Sequence, residues 1–209
     1  MNDTSTALAQ VYAATTPEAL TAAYQLWAES YDRETLELGY CLPFVIASWL
    51  ARHVKPDVGP ILDAGCGTGL SGPLLAALGY ADICGIDISP NMLEAAKRRG
   101  GYSTLMEAEL GKALPFDDGR FAAFISTGVF TVGHAPASSL TELARLLKSD
   151  GFGIFTIRDS IFESSGFNVV LDELVSQGVW RHVETSPPFR AFTIAEPDVL
   201  VRAYVFQKA

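Results

Sequence analysis

The sequence has 209 residues, of which 49% are hydrophobic and 19% are charged, and its formal net charge is −9 at pH 7. This much apolar material can fill a sizeable core, so the composition excludes a disordered chain and predicts a single domain over residues 1–209. A net negative charge repels phosphate backbones, and we therefore expect no nucleic-acid partner.

The three cysteines, Cys41, Cys66 and Cys84, are an odd number and have no CxxC spacing. They indicate reduced thiols rather than a disulfide framework or a zinc site, so we expect a cytoplasmic protein that holds no metal. The first residues lack the basic and apolar regions of a signal peptide. No apolar run approaches the roughly 18 residues of a membrane span, and we expect no membrane partner.

The N-terminal quarter predicts a helical cap. Residues 1–16 are small and polar and predict a loose tail, and residues 17–56 carry two helical patterns. The second pattern predicts a helix over 42–53, ended by Pro56 and by Gly59-Pro60. In the first pattern, aromatic and apolar residues recur at spacings of three and four on one face: Leu20, Tyr24, Trp27 and Tyr31.

Residues 57–209 alternate between strand and helix patterns, which predicts a parallel sheet with helices on both faces. The last two predicted strands are separated by about a dozen residues, too few for a crossover helix, so they predict an antiparallel hairpin. The fold class is therefore α/β, a doubly wound, mostly parallel seven-stranded sheet with a C-terminal antiparallel hairpin and an N-terminal helical cap. The predicted strands are 61–64, 81–86, 102–106, 121–126, 152–157, 180–185 and 199–206.

A glycine-rich turn, Gly65-Cys66-Gly67-Thr68-Gly69, follows the first predicted strand. Such a turn lets the backbone approach a ligand, and it suits a dinucleotide as well as S-adenosylmethionine. Asp87, at the end of the second strand, can accept hydrogen bonds from ribose hydroxyls in either case. Asp63 favours S-adenosylmethionine, because a carboxylate directly before the glycines can act through water or backbone on a ligand ammonium group.

Several segments resemble the Rossmann-like (class I) S-adenosylmethionine-dependent methyltransferases. The run from Asp63 to Gly69 is similar to their first motif, and Gly85-Ile86-Asp87-Ile88-Ser89 with Asn91-Met92-Leu93 is similar to their ribose-binding segment. Tyr24-x-x-Trp27-Ala28-x-x-Tyr31-Asp32 resembles the Williams–Beuren-region methyltransferase-like proteins and related bacterial enzymes. The resemblance implies a methyltransferase with S-adenosyl-L-methionine as its cofactor.

The resemblance also implies roles for individual residues. Asp87 would bind the ribose hydroxyls, Ile88 would pack on adenine, and Glu109, where many relatives have Asp, would hold the adenine edge with its neighbour Leu110. Tyr31 would lie over the methionine end of the cofactor. The implied cofactor-binding residues are Tyr31, Asp63, Gly65, Cys66, Gly67, Asp87, Ile88, Met92, Glu109, Leu110, Thr127 and Gly128.

The methyl acceptor is left open by the sequence. We expect a small molecule, with a protein substrate as a possible variant. Candidate catalytic residues are His134, in the loop after the fourth strand, Tyr31, and Arg158, just past the fifth strand. Two alternatives remain, an NAD(P)-dependent oxidoreductase and a non-catalytic S-adenosylmethionine-binding protein.

Overall fold

The computed structural model describes residues 31–209, with the side chain of Tyr31 outside the description. The helices within this range are α1 (Tyr31–Glu37), α2 (Leu42–His53), α3 (Ser71–Ala77), α4 (Pro90–Arg99), α5 (Ser139–Leu146) and α6 (Phe167–Ser176). The strands are β1 (Ile61–Ala64), β2 (Ile83–Asp87), β3 (Thr104–Glu107), β4 (Phe121–Phe130), β5 (Leu147–Arg158), β6 (Trp180–Thr185), β7 (Phe189–Arg190) and β8 (Leu200–Lys208).

The strands form one sheet in the order β3-β2-β1-β4-β5-β8-β6, with β7 paired to β8. Strands β1 to β5 pair in parallel with one another, and β8 runs antiparallel to both β5 and β6. The α/β class and the antiparallel C-terminal pair are therefore confirmed. The continuous order contains the seven predicted strands, and the two-residue β7, which was not predicted, pairs with β8 off this order. So short a pairing has no periodicity that a sequence pattern can reveal.

The sheet is covered on both faces, as parallel strands require. Side chains of α5 and α6 pack on one face around Phe124, Phe155 and Trp180. Side chains of α2 and α3 pack on the other face, around Ile61 and Ile154. Parallel strands between two helical layers place their carboxyl ends along a single edge, and ligands of such folds bind there.

The part of the predicted cap that the structure describes consists of α1 and α2. Helix α2 has its predicted bounds, and Pro43 lies in its first turn, where a missing N–H is tolerated. Tyr40, between the two helices, forms an isolated β-bridge with Phe192. The centroids of the two rings are 5.3 Å apart, and the rings are tilted by 39°. The predicted tail of residues 1–16 and the predicted helical face from Leu20 to Trp27 lie outside the described residues.

No helix between residues 31 and 209 is long and apolar enough to cross a membrane. The same part of the chain holds no group of three or more His, Cys, Asp or Glu side chains arranged to bind a metal ion.

Candidate functional site

The glycine-rich turn joins β1 to α3 at the carboxyl edge of the sheet. The backbone N–H groups of Gly65 and Cys66 both donate to the carbonyl of Ile86 at 2.9 Å, which ties the turn to β2. Gly65, Gly67 and Gly69 have φ angles of 78°, 54° and 81°, a left-handed conformation that glycine adopts without strain. The turn is therefore tied to the sheet by its first residues.

Asp87 closes this turn from the neighbouring strand. Its Oδ2 accepts the N–H of Gly67 and its Oδ1 accepts the N–H of Ser89, each at 2.9 Å. Burial raises the pKa of Asp87, while the bonds from Ser89 and Gly67 act in the opposite direction. A carboxylate oxygen has a second lone pair, so Asp87 can accept a ribose hydroxyl as predicted.

The three glycines of the turn do not have the same surroundings. A Cβ on Gly67 would meet no atom within 4 Å, whereas a Cβ on Gly65 would overlap the Val129 side chain. A Cβ on Gly69 would lie 3.0 Å from the Tyr102 ring. Gly67 is therefore the position where the backbone is open to a ligand. The predicted contact of the Gly65 backbone with the cofactor stays a prediction, since only the space on the side of Val129 is filled.

Asp63 is buried beneath the turn rather than presented to a ligand. It is 1% exposed, and its Oδ2 accepts the Tyr102 hydroxyl at 2.8 Å. Its Oδ1 is buried without a hydrogen-bond partner among the described residues. Burial raises the pKa of Asp63 to about 7, and Asp87 adds to the rise. The burial of Asp63 is compatible with the expected action on a ligand ammonium group through the backbone of the turn, and that action stays a prediction.

The predicted adenine-side residues divide into exposed and buried ones. Ile88 is 39% exposed beside Asp87, so its side chain can cover a planar ring. Glu109 is exposed and pairs with Lys112 at 2.5 Å, and Leu110 is partly buried against the core. Met92 is 2% exposed within α4, and its predicted contact with the cofactor stays a prediction.

Cys66 is buried within the turn, and burial raises the pKa of its thiol well above the usual value. The thiol therefore stays protonated near neutral pH, and the side chain serves as a small filler. Only the backbone of Cys66, already bonded to Ile86, remains for the predicted contact with the cofactor.

The far side of the site is formed by an extension of β4 that the sequence did not predict. Strand β4 continues to Phe130 rather than ending at Ser126, with an irregular register after Ser126. The N–H of Gly128 donates to Thr156 Oγ1 at 3.0 Å, and the Thr127 hydroxyl is buried without a hydrogen-bond partner among the described residues. The Tyr40 hydroxyl lies directly over Gly128, where it leaves no space for a Cβ.

The candidate acceptor residues lie around the same edge. His134 follows β4, and its Nδ1 lies 2.8 Å from the Val132 carbonyl, which fits an N–H donated from Nδ1. Burial lowers the pKa of His134, so the imidazole is neutral near pH 7. Arg158 ends β5 opposite Val201 of β8, on the sheet face covered by the cap. Tyr31 begins α1, and its side chain is outside the described residues.

One connection at this site was missed by the sequence analysis. Asp32 of α1 accepts the Thr68 hydroxyl at 2.5 Å and forms an ion pair with Arg99, the last residue of α4. Arg99 also donates from Nε to the Thr68 carbonyl at 2.9 Å. The only signal in the sequence was Asp32 itself, within the aromatic motif, because its partners lie far along the chain. The cap and the glycine turn are thus tied by a charged network.

Comparisons with known proteins agree with this geometry. Residues 62–155 match a family described as a methyltransferase domain. Methyltransferase-like protein 27 of Homo sapiens is 32% identical over 176 residues, which cover 81% of this chain and 71% of that protein. The chain belongs to the class I S-adenosylmethionine-dependent methyltransferases.

Two further similarities refine the comparison. The 18S rRNA (guanine(1575)-N(7))-methyltransferase of Saccharomyces cerevisiae is 47% identical to this methyltransferase over 66 residues, 32% of this chain and 24% of that protein. A TehB-like SAM-dependent methyltransferase from Corynebacterium glutamicum shares the fold with a TM-score of 0.62 at 22% identity, over 90% of this chain and 99% of that one. The alternative of an NAD(P)-dependent oxidoreductase is therefore wrong.

The site of this methyltransferase fits S-adenosylmethionine. The open position at Gly67, beside a carboxylate that retains acceptor capacity, suits a ribose with two hydroxyls. The exposed Ile88 next to it suits the adenine ring. The cofactor supplies a methyl group already activated on a sulfonium, so the protein has to bind and align rather than activate it.

Proposed function

We propose that this methyltransferase modifies a small-molecule acceptor, bound between the glycine turn and the cap. The proposal rests on the cover over Gly128 that residues 39–40 form with residues 193–194. The Tyr40 hydroxyl lies on Gly128, and Gly39 packs closely against Thr193 and Ile194. The N–H of Thr193 donates to the Gly39 carbonyl at 2.9 Å, which joins the two segments of this cover. A covered site of this kind suits a compact acceptor and excludes water during transfer.

The negative charge of the chain also favours a small-molecule acceptor. A net charge of −9 repels RNA, and the similarity to the yeast rRNA enzyme covers 32% of this chain. Because that similarity leaves most of the chain unmatched, it supports a shared cofactor more than a shared acceptor. Methylation of RNA or of a protein instead would replace the proposal, and a screen with separate acceptor pools distinguishes the three cases.

The residues of the site would contribute mainly by alignment. Asp87 and Gly67 would hold the ribose, and the Thr127–Gly128 segment would border the methyl group and the acceptor. Proximity and orientation of this kind supply on the order of 7–11 kcal/mol in well-aligned reactions. Arg158 would orient an anionic group of the acceptor, and the neutral imidazole of His134 would take up a proton if the acceptor carries one.

A labelled-methyl transfer screen tests this proposal. The enzyme is incubated with methyl-labelled S-adenosylmethionine and three pools: small carboxylates, amines, thiols and phenols; total RNA; and proteins. We expect label in the small-molecule pool, and less label with the Asp87→Ala variant at the same low cofactor concentration. Label found in RNA or protein alone would refute the small-molecule acceptor while leaving the methyltransferase activity intact.

Two broader expectations belong with this proposal. We infer that residues 1–209 form one domain and that the protein works in the cytoplasm. All three cysteines are free thiols, and two of them, Cys66 and Cys84, are buried, which is compatible with a reducing compartment.

A further inference from the structure

A buried tyrosine lies directly under the cofactor turn, in a slot lined by glycines. A Cβ on Gly69 or on Gly85 would come within 3.0 Å of the Tyr102 ring, and a Cβ on Gly72 would overlap it. These glycines come from the turn, from α3 and from β2. Gly69, which also lies against Ala96 of α4, and Gly72 thus leave room for the Tyr102 ring.

The hydroxyl of this tyrosine reaches the residue that begins the turn. It donates to Asp63 Oδ2 at 2.8 Å, and Asp63 pairs in register with Gly85 of β2. Burial raises the pKa of Tyr102 well above its usual value, so the hydroxyl remains a donor at every working pH. Asp63 is followed after one residue by Gly65, whose N–H is already bonded to β2. A shift of Asp63 therefore displaces the turn.

The groups that face Asp63 leave its charge uncompensated. Asp87 is a second acid, while the Cys66 thiol and the Tyr102 hydroxyl stay neutral because burial raises the pKa of each. Ser71 contributes a hydroxyl but no charge. The Tyr102 hydroxyl is thus the strongest interaction that favours the ionised form of Asp63.

We propose that Tyr102 is a positioning residue for cofactor binding: its ring supports the glycine turn from the buried side, and its hydroxyl holds Asp63 in place beneath the turn. Tyr102 does not touch the ligand. It sets the backbone position at which Gly67 and Asp87 receive the ribose. This inference rests on the cofactor site, and it is independent of which acceptor the enzyme uses.

The test compares Tyr102→Phe with Tyr80→Phe. Tyr80 is a matched control, because its hydroxyl is also buried in one hydrogen bond, to the Val54 carbonyl at 2.6 Å. Titration calorimetry with S-adenosylhomocysteine measures cofactor affinity without any acceptor, and thermal unfolding measures stability. Both variants should lose stability to a similar degree. Only Tyr102→Phe should weaken binding, by about tenfold, which corresponds to one buried hydrogen bond.

A pH series adds a readout that a purely structural role would not move. Loss of the Tyr102 hydroxyl removes an interaction that favours ionised Asp63, so the pH dependence of binding should shift to higher pH in Tyr102→Phe and stay in place in Tyr80→Phe. Equal affinities and equal pH profiles in the two variants would overturn the proposal. Should Tyr102→Phe not fold, Asp63→Asn takes its place, and an unchanged affinity in that variant would overturn it equally.

Discussion

The buried carboxyl of Asp63 predicts a specific pH dependence of stability. Burial raises its pKa in the folded state to about 7, whereas an aspartate in the unfolded chain has a pKa near 3.9. Between these two values the folded state binds more protons than the unfolded state. The free energy of unfolding must therefore fall as pH rises from about 4 to about 7, because ionisation of Asp63 opposes the fold.

The size of this effect follows from the shift. A difference of about 3 pKa units corresponds to about 4 kcal/mol, since each unit is 1.36 kcal/mol. Asp63→Asn removes the ionisation and keeps the size of the side chain. Relative to wild type, the variant should gain up to about 4 kcal/mol of stability between pH 4 and pH 8, with the gain complete above the folded-state pKa.

Urea unfolding followed by tryptophan fluorescence measures this difference, at five pH values from 4.5 to 8.5 and without cofactor. The informative quantity is how the difference in the free energy of unfolding between Asp63→Asn and wild type changes with pH. A difference that is the same at every pH only reports the altered hydrogen bond to Tyr102. In the variant Tyr102→Phe, the free energy of unfolding should continue to fall to higher pH than in wild type. A difference that is independent of pH, or one that favours wild type as pH rises, would refute the reasoning.

Three further predictions concern the cofactor turn and its surroundings. Asp87→Ala should weaken S-adenosylhomocysteine binding by about 1–3 kcal/mol through a lost charged hydrogen bond, measured by titration calorimetry, and an unchanged affinity would place the ribose elsewhere. Gly67→Ala and Gly178→Ala both put a Cβ into open space at positive φ and should each cost about 1–2 kcal/mol of stability in urea unfolding. Only Gly67→Ala should also abolish cofactor binding, and equal binding by the two would contradict an open cradle at Gly67. Asp32→Asn, which removes the carboxylate facing the Thr68 hydroxyl, should cost about 0.5–1.5 kcal/mol in the same unfolding assay, with no loss arguing against the tie between cap and turn.

The fold was determined largely by the sequence itself. The spacing of apolar residues predicts the strands and helices, and the cluster of glycines predicts the turn after β1. Both signals are local in the sequence. Asp87 could be placed at the carboxyl edge for the same reason, since the end of a parallel strand has a known position in the sheet. The cofactor class and the α/β architecture follow from these local signals.

Tertiary structure alone decided what each residue of the turn faces. Asp63 was expected to act on a ligand through water or backbone, but no local pattern predicted that Tyr102, 39 residues away, is its hydrogen-bond partner. A Cβ would overlap Val129 of β4 at Gly65 and would lie in open space at Gly67, although both are glycines of the same turn. The tie from Asp32 to Arg99 joins residues 67 positions apart.

These outcomes share one physical cause. Side-chain direction and contact depend on which distant segments the sheet order brings together, and a local pattern carries no information about that packing. The sequence thus determined that this chain binds S-adenosylmethionine with a glycine turn and an acidic strand end. The folded structure determined that Asp87 bonds to Gly67 of the turn and that Asp63 meets Tyr102 beneath it.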